Sequence, residues 1–280
     1  MRLSRRSTTL LRVGVGVGLA FIYIPLIVIA IYAFNAGKTL VWPPPGLTLD
    51  WFPKAIENPG ARDALLTSIK VGLVATAIAL LLGTLASLAV ARHRFFGRET
   101  VSFLVVLPIA LPGIVTGVAL SDTFTQVLGV SLSLFTVIVG HATFCIVVVY
   151  NNVIARLRRM SGSIEEASAD LGANPWQTFR HITFPAMRTA LVAGALLAFA
   201  LSFDEIIVTR FTIGAGDETL PIWIFNNLFR ASQLPIVNVV AVIVVGLSIL
   251  PVYLAHRLTR EEAVTARGGG GGRAAATTAP

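Results

Sequence analysis

Three ionisable side chains stand inside long apolar runs: His141, and the adjacent pair Asp204 and Glu205, with Arg210 following. A charge in such surroundings is costly, so each position suggests either a solute pathway or an interhelical hydrogen bond. For a cationic solute, a carboxylate facing the pathway would offset the water lost from its ammonium groups. Adjacent residues on a helix point about 100° apart, so Asp204 and Glu205 cannot both face one lumen squarely. One of them could pair with Arg210 instead, and His141 has the same two readings, pathway or hydrogen bond.

No catalytic set can be assembled from the remaining residues. Gly37-Lys38-Thr39 mimics the end of a phosphate-binding loop, but Tyr32 stands where the first glycine belongs and the segment follows an apolar helix rather than a strand. Gly14, Gly16 and Gly18 likewise miss the dinucleotide fingerprint, whose last glycine position falls on Leu19. Cys145 is the single cysteine, which leaves no disulfide framework or cysteine metal site.

The elements that must position these residues are membrane helices. Of 280 residues, 55% are apolar and 13% charged, and the mean hydropathy is +0.80. That is too little polar surface to cover a soluble globule of this size. A helix needs about 20 apolar residues to cross a hydrocarbon core of roughly 30 Å. Six such stretches are predicted, at Val13–Phe34, Val71–Ala91, Val101–Leu120, Leu132–Ala155, Ala190–Thr209 and Ile236–His256. The first follows Arg2, Arg5, Arg6 and Arg12 as a signal peptide would, but its length and the lack of a small-x-small cleavage site mark it as a retained span. The net charge of +8 is distributed by side: with the N-terminus placed in the cytoplasm, 16 Lys/Arg fall inside and 5 outside, with Lys70 at a helix end. The basic balance is thus a topology signal that puts both termini inward, and it does not indicate nucleic acid.

Between the first two spans, Trp42-Pro43-Pro44-Pro45-Gly46 and Trp51-Phe52 predict an ordered interfacial loop. After the fifth span, Leu220 to Phe225 either lies along the outer surface as an amphipathic segment or packs on the bundle. Small residues at four-residue spacing, Gly14/Gly18, Ala75/Ala79/Gly83/Ser87, Gly113/Gly117 and Gly194/Ala198/Ser202, read as helix-packing rows. Pro25, Pro108, Pro112 and Pro251 imply kinks within spans. The chain is divided into a cytoplasmic N-terminus (1–12), a transmembrane domain (13–258) and a disordered cytoplasmic tail (259–280), the last on its Gly268 to Gly272 run.

The segment 160–185 is built differently from a simple linker. Ser163 with Glu166 three residues later forms a capping box that starts a helix, and Gly172 supplies its left-handed stop. Asn174 then caps a second helix, with Pro175 at its first position, Gln177 at its third and Pro185 closing it. A capped helix-turn-helix carrying small Ala167 and Ala169 beside Trp176 suits a knob that seats in another protein's groove.

At these residues the sequence resembles the permeases of ABC importers. Their cytoplasmic signature is Glu-Ala-Ala, Gly, nine residues, then Ile-x-Leu-Pro; here Glu166-Ala167-Ser168, Gly172, Ile182 and Phe184-Pro185 match it in spacing, with Ser168 and Phe184 as departures. The likeness runs from about residue 60 to 258, and Leu111 to Gly117, His141 to Cys145 and Leu201 to Glu205 are similar to the second permease of spermidine/putrescine importers. The resemblance implies an all-α membrane protein of type I importer fold, six transmembrane helices and a cytoplasmic coupling helix. It implies that Glu166, Ala167, Asp170, Gly172 and Ala173 transmit ATP-driven closure. It also implies partners: an ATP-binding subunit dimer holding ATP and Mg, a second and dissimilar homologous permease, and an extracytoplasmic binding protein. The implied solute is a polyamine or a related small cation, moved across a bacterial inner membrane by alternating access. Opine and phosphonate importers have related permeases, and a gradient-driven secondary carrier is the alternative from another class.

Overall fold

In the computed structural model, which describes residues 4–249 and 253, every extended element of the described chain is helical apart from one isolated bridge between Asn35 and Leu47. The helices are α1 (Arg5–Ala33), α2 (Trp51–Ile56), α3 (Pro59–Arg92), α4 (Arg98–Ala110), α5 (Gly113–Asp122), α6 (Leu134–Arg159), α7 (Gly162–Asp170), α8 (Pro175–Thr178), α9 (Phe184–Phe203), α10 (Ile207–Thr212), α11 (Leu220–Leu228) and α12 (Leu234–Ile249). Wider π-helical turns, Thr123–Val127 and Phe179–Thr183, follow α5 and α8. Two compact units result, one comprising 4–62 and 223–249, the other 63–222.

Four of the predicted spans appear as long apolar helices: α1, α3, α6, and Pro175–Phe203 as one run through α8 and α9. The third is not continuous. α4 and α5 are bent by 105° at Leu111-Pro112, because proline has no N–H to donate and pushes Leu111 out of the helical region, to φ −84° and ψ 144°. Pro25, by contrast, lies within an unbroken α1. The fifth span ends at Phe203 rather than Thr209 and a new helix, α10, begins after Asp204-Glu205-Ile206. α12 covers the start of the sixth; Pro251 and the tail 259–280 lie outside the described residues.

In the first unit, the loop after α1 is ordered by its own polar groups. Buried Asn35 donates through Nδ2 to the Thr39 carbonyl (3.0 Å) and accepts the Gly37 N–H (2.9 Å), while Trp51 Nε1 donates to the Asn35 carbonyl (2.9 Å). α1 itself has no buried residue in its apolar window, and a Cβ added at Gly14 or Gly18 would meet nothing. That row therefore packs on nothing among the described residues. Trp223 at the start of this unit's second part is buried, and Gly60 approaches its indole so closely that a Cβ would stand 2.9 Å from Nε1.

The second unit is organised around α6, more than half of whose apolar window is buried. α6 packs against α4, α9 and α10, and the core joins Ala79, Phe144, Cys145, Val149, Val153, Leu157, Met187, Ala198 and Val208. The small-residue rows of α3 and α9 line it: Ala75, Ala79, Ser87, Gly194, Ala198 and Ser202 are all buried. Ser87 Oγ donates to the Gly83 or the Tyr150 carbonyl, at 2.7 and 3.1 Å. A Cβ at Gly83 would lie 2.9 Å from the Ile146 carbonyl oxygen, a backbone atom that cannot swing away. Gly83→Val is thus expected to lower the melting temperature of the solubilised chain, by an overpacking penalty of about 1–3 kcal/mol. Gly14→Ala, which adds its methyl to open space, should leave the transition in place. Leu220, Pro221 and Ile222 are buried and the Leu220 N–H donates to Ser68 Oγ (2.8 Å), which decides for the packed reading of this segment.

Candidate functional site

The segment expected to project from the bundle does form a helix-turn-helix. α7 starts two residues earlier than anticipated: the cap is Ser161, whose Oγ accepts the Ser163 N–H (3.3 Å), and Ser163 lies inside the helix. The capping box of Ser163 and Glu166 is therefore absent, because Ser161 already has the extended backbone (φ −68°, ψ 127°) that a cap requires. At the other end Gly172 takes φ +84°, its N–H reaching the Ala169 carbonyl (2.9 Å) while the Ala173 N–H reaches that of Ser168 (3.1 Å). These two bonds are the Schellman closure that a left-handed glycine allows. Asn174 and Gln177 cap α8 reciprocally at 2.8 and 2.9 Å. Pro185 does not close this helix. The π turn Phe179–Thr183 comes just before it, and a wider turn accommodates a ring that would crowd the carbonyl four residues back, so the run continues into α9.

Glu166, Ala167, Asp170 and Gly172 are exposed on this hairpin and Ala173 is half-buried. With them stand Ile164, Leu171 and Trp176, which are 54%, 89% and 65% exposed. The buried side of α7 carries two residues that sequence reasoning passed over or misjudged. Ser168, a departure from the family signature, hydrogen bonds to Thr178 Oγ1 (3.0 Å) and so ties α7 to α8. Glu165 forms an ion pair with Arg92 at the end of α3, accepting a hydrogen bond from Nη2 at Oε1 (3.0 Å) with Nε 2.9 Å from Oε2 but not hydrogen-bonded to it, and also accepts from Thr183 Oγ1 (2.8 Å). The available signal was helical spacing: Glu165 precedes buried Ser168 by three residues, whereas Glu166 falls on the other face.

The intramembrane set assembles around the α9–α10 break. His141 on α6 is buried, with Nδ1 2.7 Å from Ser202 Oγ and Nε2 2.8 Å from Thr209 Oγ1. The Thr209 hydroxyl donates its one hydrogen to the Glu205 carbonyl (2.7 Å), so it accepts from His141, which fits the Nε2–H tautomer with Ser202 donating to Nδ1. Both ring nitrogens are thereby occupied by this chain's own side chains. Glu205 Oε1 accepts the Val208 N–H (2.9 Å) and caps the start of α10. Asp204 is exposed and its carboxylate makes no hydrogen bond or ion pair among the described residues; neither acid pairs with Arg210. No group of three or more His, Cys, Asp or Glu capable of holding a metal occurs among the described residues.

A bundle of apolar helices, one of them broken at a carboxylate, with a capped polar hairpin between two spans, defines a membrane transport component rather than an enzyme. Residues 79–261 match the model of the family described as the binding-protein-dependent transport system inner membrane component, and the chain belongs to that family. The chain is 32% identical over 236 residues to the putrescine transport system permease protein PotI of Escherichia coli, covering 82% of this chain and 83% of that one. It is 32% identical over 243 residues to the spermidine/putrescine transport system permease protein PotC of Haemophilus influenzae, covering 86% and 93%. A solved bacterial ABC transporter involved in import of the acidic polysaccharide alginate has the same fold, with a TM-score of 0.69 and 19% identity over 93% of this chain and 99% of that one.

Proposed function

We propose that this chain is one of two permease subunits of an ATP-driven importer for a polyamine or a related small cationic solute. The observation that carries the reading is the α7–α8 hairpin. It is capped at both helices, closed by a left-handed glycine, and it keeps Ile164, Leu171 and Trp176 in water, where an exposed apolar patch marks a docking surface. Glu166, Ala167, Asp170, Gly172 and Ala173 lie on or beside that surface and would meet an ATP-binding subunit, which supplies the ATP and Mg chemistry that this sequence lacks. The Lys/Arg distribution supports placing the hairpin and both termini in the cytoplasm.

Support for a cationic solute comes from Asp204. A carboxylate in the break of a span, without a partner among the described residues, favours a pathway that carries positive charge, and the relatives named for putrescine and spermidine point the same way. Glu205 and His141 instead hold the break in shape. Transport then proceeds by alternating access: a loaded binding protein docks outside, ATP closes the paired ATPase subunits, and the hairpins rock the bundle. The second permease is a dissimilar homologue.

The test is purification of the detergent-solubilised chain from its native membrane with identification of what accompanies it. An ATPase with a phosphate-loop motif, a second permease and an extracytoplasmic binding protein are expected. A chain recovered alone that still catalyses gradient-driven flux in liposomes is a secondary carrier, and the importer reading then falls.

A further inference from the structure

We propose that Arg92 and Glu165 form a strut that makes the coupling hairpin and the C-terminal end of α3 move as one body, so that motion imposed on α7 reaches the bundle through α3 as well as through α9. The proposal rests on the reading of the hairpin as an ATPase-docking element. Three observations support it. The Arg92 guanidinium donates one charge-assisted hydrogen bond to the carboxylate, Nη2 to Oε1 at 3.0 Å, and its Nε stands 2.9 Å from Oε2 as an ion-pair contact without hydrogen-bond geometry. Both side chains are shielded, 24% and 18% exposed, unlike the open surface pairs that contribute little. The same carboxylate accepts from Thr183, so one group joins α7, the end of α3 and the π turn that leads into α9.

The surroundings show why a strut is needed there. A cleft of about 420 Å³ separates α3 from the hairpin, with Leu88 and Arg92 on one side and Ala169, Ala173, Pro175 and Phe179 on the other. Apolar packing alone does not fill that gap, and no other side-chain hydrogen bond runs from α7 to α3 among the described residues. Without the ion pair the hairpin could shift across the cleft when pushed, and part of the stroke would be lost before it reached α3. Glu165 and Arg92 are thus positioning residues: they touch neither solute nor nucleotide.

The test uses the whole importer, this chain with its ATPase, second permease and binding protein, in liposomes, with labelled putrescine and spermidine as the probes. The quantity read is solute taken up per ATP hydrolysed. Glu165→Gln and Arg92→Gln are each expected to lower that ratio roughly fivefold, the lower end of ordinary coupling between sites. The double exchange Arg92→Glu with Glu165→Arg should recover most of it, which a merely structural role would not require. The strut is overturned if both single variants keep the ratio within about twofold of the parent. It is equally overturned if uptake and hydrolysis fall in parallel, with loss of assembled complex and no recovery in the exchanged pair. A parent complex with no ATP-dependent uptake of either probe would instead overturn the importer reading itself, and the strut with it.

Discussion

Gly172→Val is expected to reduce ATP-driven uptake more than about tenfold while Gly172→Asn retains most of it, a loss that corresponds to about 1.4 kcal/mol or more. The contrast follows from backbone geometry alone. Gly172 sits at φ +84°, and a Cβ added there would meet nothing within 4 Å, so no clash accompanies the substitution. The left-handed region costs an ordinary L-residue roughly 1–2 kcal/mol and a β-branched one more, whereas asparagine visits it readily. α7 has nine residues, too few to be stable without its closures, so straining the turn loosens the Ala173 to Ser168 bond and with it the end of the helix that presents Ala167 and Leu171. The measurement is uptake of labelled putrescine in membranes with matched amounts of each variant, alongside the ATPase that co-purifies. Equal uptake for valine and asparagine variants would show that the turn has no role in coupling.

The second large effect concerns the two adjacent acids. Asp204→Asn, which keeps the size of the side chain and removes its charge, should lower uptake by roughly tenfold or more, since a hydrogen bond to a charged group contributes about 1.5–3 kcal/mol. Glu205→Gln should have a far smaller effect. Its amide oxygen can still accept the Val208 N–H, and what is lost is the charge at the first turn of α10, about 0.3–1 kcal/mol. The comparison is made on putrescine uptake at saturating binding protein, with complex assembly checked in parallel. If Glu205→Gln abolishes uptake and Asp204→Asn does not, the roles are reversed; if neither matters, the pathway has no carboxylate from this break.

The pair shows where the sequence stopped being informative. A continuous fifth span put the two acids on one helix, about 100° apart, with no means of choosing between them. The chain instead interrupts the helix at this point, because the Glu205 carboxylate takes a backbone N–H that an unbroken helix would have given to a carbonyl. Glu205 has its hydrogen bond already, and that is the ground for proposing Asp204 as the solute's partner. His141 was undecided for the same reason: its partners Ser202 and Thr209 are 61 and 68 residues away.

Along α7 and α8 the outcome was the reverse. Gly172, Asn174, Pro175 and Gln177 were assigned from the sequence and occupy those roles, since caps and left-handed stops act over three to five residues. Two local expectations differ: Pro185 does not close the second helix, and the cap is Ser161 rather than Ser163, two serines with the same chemistry of which only one has the extended backbone.

By itself the sequence determined that this is a helical membrane protein with a capped hairpin between two spans, because apolar length, charge asymmetry and capping are properties of short stretches. Only the tertiary structure decided that α4 and α5 meet at 105°, that α1 has no buried residue in its apolar window while α6 anchors the core, and that Glu165 rather than Glu166 is held by Arg92. The last depends on which surfaces meet across 73 residues of chain, and hydrophobic periodicity, which reports that a face is buried, does not report against what.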